Sequence, residues 1–157
     1  GDFLGTAQAN TLILELPNIA PAVRLIAKNN LAFALARARG SRSDLARAET
    51  LAREVHDARK DAGSLQTLAL TLAAQGRRDE ADRVIKDLLK STPPTPSIQL
   101  THAFILAEGD DAQRQQARDI IRGLSAQVNG SLSPQEKRDL AQLRGRLVPS
   151  SQAPSDP

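Results

Sequence analysis

Apolar residues recur along this chain at helical intervals. Between Leu65 and Pro93 the pattern is densest. Leu65, Leu68 and Leu72 fall at i, i+3 and i+7, which aligns them as one stripe of an α-helix. Ala69 lies inside that stripe, where a small side chain lets a second helix approach closely. Gly76 follows, and its access to positive φ suits a helix end. Asp79 and Glu80 then open a second helix, whose dipole favours carboxylates in the first turn. Ala81, Ile85 and Leu88 carry its apolar stripe, and Pro93-Pro94 stops it. The spacing predicts a hairpin of two antiparallel helices.

The same pattern recurs on either side. Upstream, Leu31, Ala32 and Leu35 match Leu68, Ala69 and Leu72, and Ala48, Ala52 and Val55 match Ala81, Ile85 and Leu88. The turn between them, Arg39 to Ser43, is longer, and Ser41-x-x-Asp44 reads as a capping box. Downstream, Thr95-Pro96 resembles a cap followed by proline at the first helical position. Ile98, Thr101, His102 and Ile105 then occupy the first-helix places, although a register with Ala103 in the small-residue place fits nearly as well. Gly109 and Asp110-Asp111 make the turn, and Ala117, Ile121 and Leu124 carry the second helix. Ser133-Pro134-Gln135-Glu136 opens a last helix with the narrow stripe Leu140, Leu143 and Leu147. At the other end, Ala9, Leu12, Ile13 and Leu16 have helical spacing, and Ile13 breaks the alternation that Leu12, Leu14 and Leu16 would need as a strand.

These readings predict an all-α fold of at least six helices with antiparallel neighbours and no sheet. Residues 1–20 are the remnant of a preceding repeat helix with its connector, and residues 21–147 are a helical repeat domain ending in a polar capping helix. The Ser/Pro-rich residues 148–157 form a disordered tail.

Residues 22 to 124 resemble tetratricopeptide repeats, with Leu and Ile in place of the consensus aromatics. Asn29-Asn30-Leu31-Ala32 and Ala74-Gln75-Gly76-Arg77-Arg78-Asp79-Glu80-Ala81 are especially similar to bacterial members. The resemblance implies a right-handed superhelix whose first helices line a concave groove that binds peptides or protein surfaces. It also implies a place in a larger assembly, such as envelope or exopolysaccharide secretion machinery, and nothing catalytic. On this alignment the groove carries Asn29, Gln66 and Gln99, one turn later Phe33, Leu70 and Ala103, and then Arg37, Ala74 and Ala107. Amides both donate and accept, so Asn29, Gln66 and Gln99 suit the backbone of an extended peptide, with Phe33 and Leu70 beside its side chains. The family's carboxylate clamp is missing, because the matching positions hold Asn29, Phe33, Thr67, Pro96 and Leu100.

Composition narrows the alternatives. The 157 residues fit one domain, rich in Ala and Leu, with Phe3, Phe33 and Phe104 as the only aromatics. Lys and Arg outnumber acids 21 to 18, but the charges are interspersed, and pairs such as Glu49/Arg53 and Asp82/Lys86 read as solvated helix faces. Absence of cysteine rules out disulfides and thiolate metal sites. Methionine is absent too, which fits a processed chain or an excised piece. The Ala/Arg/Leu bias points to a bacterial source; the compartment is not fixed by composition, and the expectation places the periplasm ahead of the cytoplasm. No apolar run is long enough to span a membrane.

Candidate chemistry is sparse. His56 and His102 belong to no His-Glu-x-x-His arrangement and read as a solvated helix residue and a packing residue. Neither a Gly-rich phosphate loop nor a Gly-x-Ser-x-Gly elbow is present. The expectation is a non-enzyme without metal or cofactor, whose partner is a protein or peptide. Two other readings stand beside it. One is a structural spacer whose groove is filled internally. The other is a nucleic-acid binder using Arg37, Arg39, Arg42 and Arg47, a reading weakened by the near absence of aromatic stacking platforms.

Overall fold

The computed structural model describes residues 2–127 and 132–147. Among them the chain is all α-helix, with no strand: α1 (Phe3–Glu15), α2 (Pro21–Ala38), α3 (Arg42–Arg59), α4 (Ala62–Ala74), α5 (Arg78–Ser91), α6 (Pro96–Leu106), α7 (Asp111–Gln127) and α8 (Pro134–Leu147). The expected tail, 148–157, lies outside the described residues. The chain divides into two compact units, Gly1–Thr92 and Pro93–Pro157.

In the first unit each helix packs on the next, and α2 also packs on α4. The matched positions form the core: Leu31, Ala32, Ala48, Ala52, Val55, Ala69, Leu72, Ala81 and Ile85 are all buried. Five of these are alanines at the helix contacts, so the backbones come close and the long side chains fill the flanks. Helix α4 is central and buries Ser64, Thr67, Thr71 and Leu70 besides its leucine stripe. Two of its buried hydroxyls are satisfied locally: Thr71 Oγ1 donates to the Thr67 carbonyl at 2.8 Å, and Ser64 Oγ to the Asp61 carbonyl at 2.8 Å.

Local chemistry marks the helix ends. Pro21 occupies the first turn of α2. Ser41 and Asp44 close both halves of the expected capping box. Arg39 at φ 50° and Lys60 at φ 52° end α2 and α3 in the left-handed region, so the turn before α3 is shorter than the sequence suggests. Gly76, at φ 82°, does the same after α4, a conformation glycine adopts without Cβ strain.

The second unit has its own core of Leu100, Ala103, Leu106, Ala107, Ala117, Ile121, Leu124, Leu143 and Leu147. Ala103 is fully buried whereas His102 is half-buried. Burial thus puts Ala103 in the small-residue place, the second of the two registers the sequence allows. Thr95 Oγ1 accepts from the Ile98 amide, and Ser133 and Glu136 exchange bonds at the start of α8, as their spacing predicts.

Candidate partner-binding face

Helices α2 and α4 are the first helices of successive hairpins, and they lie against each other. With Leu31 matched to Leu68, Asn29 corresponds to Gln66, Phe33 to Leu70 and Arg37 to Ala74. Asn29 and Gln66 are both half-buried, each on the same side of its helix as Phe33 and Leu70 respectively, one turn on. The Oδ1 of Asn29 is buried and has no hydrogen-bond partner. An unpaired buried acceptor is unfavourable, so this amide costs the fold free energy as it stands.

The apolar half of the expected groove is largely closed. Leu70 is only 9% exposed and Thr67, one turn earlier, 3%. On the helical wheel these residues turn toward α2, because Leu68 and Leu72 line a cleft between α3 and α5 on the other side. Phe33 is half-buried, and its ring meets Phe3 of α1 edge to face, with centroids 6.1 Å apart and planes at 71°. The Arg37 guanidinium lies 5.0 Å from the Phe3 ring centroid and 5.9 Å from that of Phe33. The ring expected to face an open groove is therefore already stacked within the chain. Gln99 is half-buried on α6, in the second unit. In the register with Ala103 in the small-residue place, the residue equivalent to Asn29 and Gln66 is the buried Leu100.

Phe3 is the residue that sequence reasoning missed. The stripe read there was Ala9, Leu12, Ile13 and Leu16, yet α1 buries Ala7 and Asn10 and leaves Leu12 and Leu16 exposed. Phe3, Ala7, Asn10 and Leu14 form a stripe at i, i+4, i+7 and i+11. Asn10 disguised it as polar, but its amide donates to the Thr6 carbonyl at 2.8 Å.

A second cluster joins α3 to the start of α5. Arg77 donates to both carboxylate oxygens of Glu49, at 2.8 and 2.9 Å, and to Glu80 at 2.7 Å, and Arg53 also reaches Glu49 at 2.7 Å. Burial pushes the Glu49 carboxyl up, but the hydrogen bonds of Arg53, Arg77 and Gln75 outweigh it and hold the group below its usual range. The cleft between α3 and α5, about 250 Å³, has Leu68, Leu72 and Val84 as its apolar lining. Three of its rim charges, Arg53, Glu80 and Asp87, are engaged in ion pairs along the helices.

Of the four arginines gathered near the first turn, Arg37 is turned onto the rings, while Arg39, Arg42 and Arg47 are exposed. His56 is half-buried rather than solvated, with Nδ1 3.2 Å from Ser64 Oγ across the α3–α4 contact. Among the described residues no group of three or more metal-ligating side chains comes together, and no helix is long and apolar enough to cross a membrane. No family model, curated protein or solved structure matches this chain.

Proposed function

We propose that this chain is a protein–protein interaction scaffold of the tetratricopeptide type. It binds a peptide or protein surface along the polar side of α2 and α4, as part of a larger bacterial assembly such as an envelope or exopolysaccharide secretion machine. The observation that carries the reading is the unpartnered Oδ1 of Asn29; the half-buried amide of Gln66, already engaged within the chain, stands at the equivalent place one hairpin later. Rotation of the half-buried Asn29 side chain would bring that acceptor out to a backbone N–H of a bound chain, whose carbonyls the amide N–H groups could meet.

Co-purification from the native organism with this chain as bait, followed by titration of the recovered partner, tests the proposal. Asn29→Ala and Gln66→Ala should each weaken binding while the protein stays folded. Unchanged affinity in both variants would refute the site.

The packing of Phe33 against Phe3 favours a second reading, the spacer. In that case the ring serves cohesion alone, and no partner depends on Asn29 or Gln66.

A further inference from the structure

We draw no further inference here: the strongest candidate, the outward apolar patch of α1 where Leu12 and Leu16 stand 63% and 54% exposed, carries nothing because no observation in the structure shows what covers it.

Discussion

Phe3 and Phe33 meet edge to face at 6.1 Å, with Arg37 over both rings, and this contact ties the first turn of α1 to the last turns of α2. It converts a residue that the sequence places in a binding groove into one that also holds the fold. Phe33→Ala should therefore cost about 1–3 kcal/mol in urea unfolding, combining lost burial with the lost ring pair. A double-mutant cycle with Phe3→Ala should return a coupling of about 0.5–1.5 kcal/mol. Additive single variants would mean that the two rings contribute nothing to each other.

Asn29 presents the opposite case. Its residue type is poor in mid-helix, and its buried Oδ1 has no donor. Asn29→Ala removes both penalties and should raise stability by about 0.5–1 kcal/mol. Reading the denaturation midpoint beside partner affinity separates the roles. A functional amide gives a more stable protein that binds less well, whereas loss of stability would mean that the amide supports the fold.

Ala69 is completely buried at the crowded contact of α4, in the place that Ala32 holds in α2. Ala69→Leu inserts three carbons where the backbones are closest and should cost about 1–3 kcal/mol by overpacking. Ala73→Leu, at a half-buried position on the same helix, is the control and should stay within about 0.5 kcal/mol. Equal melting temperatures for the two variants would contradict the hairpin register.

The Arg77 cluster sets an acid limit. Glu49, Glu80, Asp44 and Asp61 all have carboxyl pKa values below their usual ones. A depressed folded-state pKa contributes stability that is present above the unfolded value and lost as pH falls through the folded one. Stability should accordingly be level near neutrality and decline once the pH passes below the ordinary Glu value of 4.5. Glu49→Gln keeps the shape but weakens the pairing with Arg53 and Arg77. It should be about 1 kcal/mol less stable at pH 7 and converge with the parent in acid. Parallel stability curves for parent and variant between pH 7 and 3 would show that Glu49 gains nothing from its arginines.

The sequence by itself determined the helices, their hairpin pairing and most of the first unit's core. Those features follow from local periodicity. Leu31, Ala32, Leu68, Ala69, Ala81 and Ile85 repeat at helical spacing, and Ser41, Thr95, Ser133 and Gly76 mark the turns with chemistry that acts within a few residues. What only the tertiary structure decided was which of the remaining faces are covered. Leu70 and Phe33 occupy equivalent places, yet Leu70 is buried on the side facing α2 while Phe33 is stacked on Phe3 and flanked by the open Ile26 and Asn30. That difference depends on the neighbour each helix receives, not on the helix itself. The buried side of α1 was likewise hidden, since Asn10 meets its hydrogen-bonding need within its own helix and so packs as an apolar residue would. Periodicity reports that a face is apolar. Packing alone decides whether it is spent on the fold or left for another molecule.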